Sequence, residues 1–214
     1  MSPENPKANP KPEPKTKPKT QTDILEKAIP LFAKSGFTGI SMRQIAKAVG
    51  MNAASLYHHF PDKQTLYIAA VQQAFATREF VLSEILSMKI PVHEKLHLFL
   101  KRICDFMQNE PDFSRLIHRE ILDGDGDETR LRLLADQVFQ NFFAAVIGLA
   151  GELAPDKDPH LLAMSIFGLV AYHYQTMPIR LFLPGGKPEH NESEIVANHV
   201  TSLLLQGLKS KKKR

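Results

Sequence analysis

Residues 41–60 read SMRQIAKAVGMNAASLYHHF, and they constrain the fold of this chain more than any other stretch. Ser41, with Gln44 three residues on, makes a capping box that opens a helix. Ile45, Ala46 and Val49 then fall on one helical face. Gly50 interrupts the pattern where a tight turn between helices requires a positive φ. Asn52 can cap a second short helix running to about His59. A short helix, a glycine turn and another short helix form the unit that lays its second helix in the major groove of DNA.

The rest of the chain from Thr22 onward carries helical periodicity, and strand-like alternation is missing. Helices are predicted over 22–35, 63–88, 91–109, 111–122, 129–149, 158–177 and 191–207. With the two short ones they make about nine in an all-α fold: an N-terminal three-helix helix-turn-helix domain followed by a helical bundle. Several boundaries have a chemical cause. Asp62 can cap the fourth helix, Asp158-Pro159 opens the eighth, and Gly151 is expected to close the seventh. Asn191 and Glu194 form a capping-box-like start for the last. Pro30 sits inside the first helix and is expected to kink it, because proline removes a backbone donor.

Charge divides the chain. Residues 1–19 hold six prolines, five lysines and two glutamates; residues 209–214 hold five basic groups. Residues 20–63 carry five basic and three acidic groups, whereas 64–208 carry 12 basic and 18 acidic ones. Positive charge thus gathers on the tails and the reading head, where it can release counterions from phosphate. The expected organisation is a disordered Pro/Lys-rich tail over 1–19, a DNA-binding domain over 20–66, an effector-binding and dimerisation domain over 67–208, and a basic tail over 209–214. The tail has no apolar core for a signal peptide, and the apolar stretch 161–174 is too short for a bilayer. Cys104 alone forms no intramolecular disulfide. The chain therefore reads as soluble and cytoplasmic, without a membrane partner.

Roughly residues 20–67 also resemble the N-terminal domain of the TetR family of bacterial repressors. Leu31-Phe32, Gly36-Phe37, Ile45-Ala46, Gly50 and Leu56-Tyr57-His58-His59-Phe60, followed by Asp62-Lys63, stand at the family's spacing. The resemblance implies a homodimer that binds a palindromic double-stranded DNA operator, releases it on binding a small effector, and acts as a transcriptional repressor. It places Ser41, Met42, Arg43, Asn52, Ala53, Ala54, Ser55, Tyr57, His58 and Lys63 at the DNA. Arg43 can fork onto guanine or phosphate, Asn52 and Ser55 can bond base edges, and Tyr57, His58 and Lys63 can reach phosphates. Many relatives carry Lys or Arg where Ala53 and Ala54 stand, so base readout here rests on few polar groups.

The same resemblance makes the C-terminal helices an effector pocket, with Phe106, Phe113, Phe139, Phe143, Phe167 and Met177 as apolar lining and His173, Tyr174 and Arg180 as polar anchors. By periodicity alone, core packing is the better reading of any single one of these apolar side chains. Helix faces through Leu161, Leu162, Ser165, Gly168 and Leu169, and through Ile195, Val196, His199, Val200, Leu203 and Leu204, suit a four-helix dimer interface. No metal site or cofactor is expected. The DGDGDE run at 123–128 lacks the glycine and the closing glutamate of a calcium loop and reads as a solvated acidic loop. His93 and His97 lie four apart with no third ligand and read as an ordinary helix face. No nucleophile elbow, phosphate loop or dinucleotide fingerprint is present, so an enzyme is not expected. A rival to the ligand-gated repressor is a DNA-bound adaptor that recruits a protein partner and has a filled C-terminal core.

Overall fold

The computed structural model describes residues 20–122 and 127–208, and every regular element among them is helical. The two tails and most of the acidic loop lie outside the described residues. Helix α1 (Gln21–Ser35) starts at Thr20, whose side chain accepts from the Asp23 amide while Asp23 bonds back. It runs unbroken past Pro30. Pro30 and Glu26, the residue whose carbonyl loses its intrahelical donor, are both exposed, so water can satisfy that carbonyl.

Helices α2 (Met42–Val49) and α3 (Ala53–His59) complete the reading head, and α4 (Lys63–Ser87) leads out of it. At about 1.5 Å per residue, the 25 residues of α4 span roughly 37 Å. Beyond it come α5 (Val92–Asn109), α6 (Pro111–Leu122), α7 (Glu128–Leu134), α8 (Gln140–Leu153), α9 (Pro159–Gln175), the single turn α10 (Met177–Arg180) and α11 (Ser193–Gly207). Eleven α-helices among the described residues replace the expected nine. The segment expected as one helix is divided by a π-helical turn at Ala135–Phe139, and α10 is an addition. Gly151 does not end α8, which continues to Leu153 and is capped at Ala154.

Two apolar clusters hold the chain together. The first joins α1, α2 and α3 to the first half of α4 and extends to Leu116, Leu134 and Val138. The core of the reading head therefore crosses residue 66 and includes parts of α6 and α7. Phe32 and Phe37 meet Tyr67 edge-on at its centre, with centroids 4.8 and 5.3 Å away. The second cluster joins the end of α4 to α5, α8, α9 and α11. The 26-residue rod Glu128–Leu153 is long and apolar enough to cross a membrane by length and composition. In the fold its Leu134, Val138, Phe142, Val146, Leu149 and Ala150 are buried, in contact with α4, α5 and α9.

The start of α11 departs from the expected capping box. Asn191 ends a 3-10 turn, and Glu192 at the N-cap makes no side-chain bond. The cap comes instead from α5: Gln108 Oε1 accepts from the Ser193 amide at 2.6 Å, and Asp105 Oδ1 accepts from the Ser193 hydroxyl at 2.5 Å. A tertiary contact has taken the place of the local one.

Candidate nucleic-acid interface

Helix α2 is set by its two ends. Ser41 accepts from the Gln44 amide and Gln44 Oε1 accepts from the Ser41 amide, the reciprocal bonds of the capping box. Gly50 closes the helix at φ 77°, ψ 44°, and the Met51 amide reaches back to Ala46 O at 3.0 Å. This left-handed residue aims the chain into α3, where Asn52 Oδ1 accepts from the Ser55 amide at 2.7 Å. Leu56 is fully buried beneath α3. Ala54, Tyr57 and His58 therefore share its outer face at helical spacing, and all three are exposed. Arg43 and Lys47, four apart on α2, are exposed as well. From Lys27 to Pro61 the sequence contains no carboxylate side chain, so nothing acidic in that stretch offsets these cations.

Two of the expected DNA-facing residues take other positions. Met42 is only 6% exposed and belongs to the first core cluster, so its side chain packs into the chain's own core rather than lying on the exposed surface. It is the first residue of α2, where the amphipathic face already points inward. Lys63 is half-buried: its Nζ donates to Ile40 O at 3.2 Å and lies 4.4 Å from the Phe37 ring centroid. The ammonium ties the start of α4 to the loop before α2, which leaves it fewer hydrogens for a phosphate. Ser41, Arg43, Asn52, Ala53, Ala54, Ser55, Tyr57 and His58 are exposed or partly exposed at the start of α2 and along α3. Lys47 is exposed with them and was legible as the residue four after Arg43.

Of the nine residues expected around an effector, Tyr174 and Met177 line one large groove and Phe113 lines a smaller one. Phe139, Phe143 and Phe167 join Phe142 in a chain of aromatic contacts with centroids 5.0–6.4 Å apart. Phe113 and Phe106 flank the Arg78 guanidinium of α4, at 4.4 and 5.9 Å, and Arg78 also pairs with Glu110. Burial pulls Arg78 below its usual pKa. His173 Nδ1 lies 3.2 Å from Arg180, which also donates to Asn191 Oδ1 at 2.9 Å. Burial, then Arg180 and His199, lower the His173 pKa. Burial and the neighbouring Cys104 thiol push Tyr174 up, and burial raises Cys104 to about 11. Tyr174 and Met177 border a separate open groove of about 1010 Å³ between α1, α6 and the α9–α10 corner. His93 is exposed beside Glu94, while His97 faces the Thr201 hydroxyl at 3.5 Å, so the two imidazoles do not converge.

The reading head is joined to the bundle by two arginines that periodicity does not single out. Arg130, 2% exposed, lies over Phe37 with its guanidinium 4.5 Å from the ring centroid. Arg119 of α6 donates from Nε to Ala33 O at 3.0 Å and from Nη2 to Lys34 O at 2.8 Å, satisfying carbonyls at the end of α1. Gly36, at φ 71°, makes room for it: a Cβ there would meet Arg119 Nη1 at 3.0 Å.

Comparison with known proteins places this geometry. A profile of bacterial regulatory proteins of the tetR family matches residues 24–70. The HTH-type transcriptional repressor Rv1474c of Mycobacterium tuberculosis is 28% identical over 160 residues, covering 65% of this chain and 85% of that protein. The fold matches that of FadR from Bacillus subtilis, solved with stearoyl-CoA, at a TM-score of 0.73 and 17% identity over 88% of this chain and 99% of that one. It also matches AibR, solved with isovaleryl coenzyme A and operator DNA, at 0.66 and 24% identity over 86% and 96%. With the helix-turn-helix geometry and the profile over it, residues 24–70 form a helix-turn-helix domain of the tetR family of bacterial regulatory proteins, and the similarity to the Mycobacterium tuberculosis repressor extends beyond that domain into the bundle.

Proposed function

We propose that the protein is a dimeric transcriptional repressor that binds a palindromic operator through Arg43, Lys47, Asn52, Ser55, Tyr57 and His58 and is released by a small effector. The observation that carries the reading is the exposed α2–α3 surface, with two cations, a tyrosine, a histidine and no acid between Lys27 and Pro61. One α3 of seven residues spans few base pairs, so specificity requires two copies about 34–36 Å apart. A second apolar surface supplies the means of pairing. On α9, Leu161, Met164, Ser165, Gly168 and Tyr172 point outward, and on α11 Ile195, His199 and Leu203 do the same. Leu161 and Tyr172 are each 66% exposed, and a Cβ on Gly168 would meet nothing. Leu162, Val196, Val200 and Leu204 are buried in the chain's own core and so are not available for pairing.

Effector control is supported by likeness to FadR and AibR, both solved with acyl coenzyme A compounds. The contacts of Phe139, Phe143 and Phe167 with one another favour the adaptor alternative at that place, because rings packed on rings are what a filled core presents. One experiment separates the readings. DNA fragments bound by the protein are recovered and used in mobility-shift assays with small molecules that raise the melting temperature. Release of DNA by a stabilising molecule supports the repressor. Stabilising molecules that never alter DNA affinity favour the adaptor.

A further inference from the structure

We propose that the groove between α1, α6 and the α9–α10 corner binds an amphipathic anion, and that the anion acts on the reading head through Arg119. The inference rests on the repressor reading and names its effector class and its point of action. The volume of about 1010 Å³ is that of a pocket for a sizeable small molecule. Its two walls differ in chemistry. Lys34, Arg115, His118 and Arg119 line one side, with Arg115 3.6 Å from the Asp112 carboxylate at the edge, and no carboxylate is among the described lining residues. Met177, Pro178, Leu181 and Phe182 line the other, and Phe182 is 86% exposed. A phenylalanine left so open beside a cationic wall is matched by a molecule with an apolar body and an anionic head. Tyr174, 6% exposed, also lines the groove, with the Cys104 thiol as its neighbour on the buried side.

The cationic wall is also the joint between the two halves of the molecule. Arg119 holds the Ala33 and Lys34 carbonyls at the end of α1. An anion in the groove competes for the same guanidinium, because a charge-assisted bond to an ionised acceptor is stronger than a bond to a neutral carbonyl. The end of α1 then loses its tie to α6, and the head leaves the geometry that suits the operator. By linkage, operator DNA weakens binding of the anion by the same factor.

The test uses the full-length protein with dodecanoate, dodecyl phosphate and dodecanol, each below its aggregation threshold. Calorimetry measures binding and fluorescence anisotropy measures operator affinity. Both anions are expected to bind about tenfold or more tighter than the alcohol and to weaken operator binding, while Phe182→Ser and Arg115→Gln each reduce anion affinity about tenfold. Neither variant should alter operator affinity without ligand. Arg119→Lys retains the charge but loses the two-carbonyl clasp, so it should bind the anions and respond less in DNA affinity. Equal binding of alcohol and anions, or anion binding untouched by both Phe182→Ser and Arg115→Gln, overturns the proposal. Failure of the ligand-free protein to bind any selected DNA would instead overturn the repressor reading beneath it.

Discussion

Tyr57 and Lys63 sit six residues apart and face different tasks. Tyr57 is 48% exposed on the outer face of α3 and has no role in the core. Tyr57→Ala should weaken binding to all DNA sequences alike while leaving the melting temperature unchanged, because a phosphate contact carries no sequence information. Lys63 holds the Ile40 carbonyl and lies against Phe37. Lys63→Ala should therefore cost about 1 kcal/mol of stability as well as weaken DNA binding. Salt titrations distinguish the tasks. Loss of one phosphate contact reduces the slope of log affinity against log salt by about one unit, whereas a purely structural tie leaves it unchanged. At this scale sequence spacing alone was ambiguous. The family resemblance puts Met42 and Lys63 at the DNA, but neither resemblance nor spacing carries a measure of burial, and packing takes nearly all of one side chain and part of the other.

At the scale of elements, helix ends separate what neighbouring residues determine from what the fold determines. Ser41, Gly50, Asn52, Asp62 and Asp158 cap or close their helices by contacts within four residues, and their roles are legible in the sequence. The start of α11 is not legible, because its caps come from residues some 85 positions away on α5. That tertiary cap makes a prediction. Desolvation of its site works against ionisation of Asp105, yet the bonds from Lys101 and Ser193 hold its pKa below the usual 3.8. The folded state therefore binds its proton more weakly than the unfolded one. The stabilisation is present above about pH 4 and is lost as pH falls through the lowered folded value. Asp105→Ala should cost about 1–2 kcal/mol near neutral pH and reduce the loss of stability on acidification, as denaturant titrations at pH 7 and pH 3 would measure. An unchanged midpoint at pH 7 would mean that α11 does not depend on this cap. The π-helical turn at Ala135–Phe139 was likewise hidden, because its residues keep the helical pattern of polarity.

For the whole molecule, the account requires two copies. Leu203 lies on the outer face of α11 and is 48% exposed in one chain, so a charge there is tolerated by the monomer fold but not by a buried interface. Leu203→Glu should shift a wild-type dimer toward monomer in analytical ultracentrifugation, with the monomer retaining its helical circular dichroism. Helical periodicity made the all-α architecture readable, since nearly every segment alternates on a 3.6-residue repeat. The shape of the spaces between helices is set by how side chains of distant segments interdigitate, and for that reason the aromatic set of α8 and α9 resembled a pocket lining before the fold showed it packed ring against ring. The central claim, a dimer reading DNA through paired α3 helices, is tested most directly by selecting bound fragments from random double-stranded DNA. The account predicts an inverted repeat whose half-sites lie about one helical turn or a multiple of it apart, and its loss with Arg43→Ala plus Tyr57→Ala. Recovery of sequences with no repeat, or of the same repeat by the double variant, would contradict it.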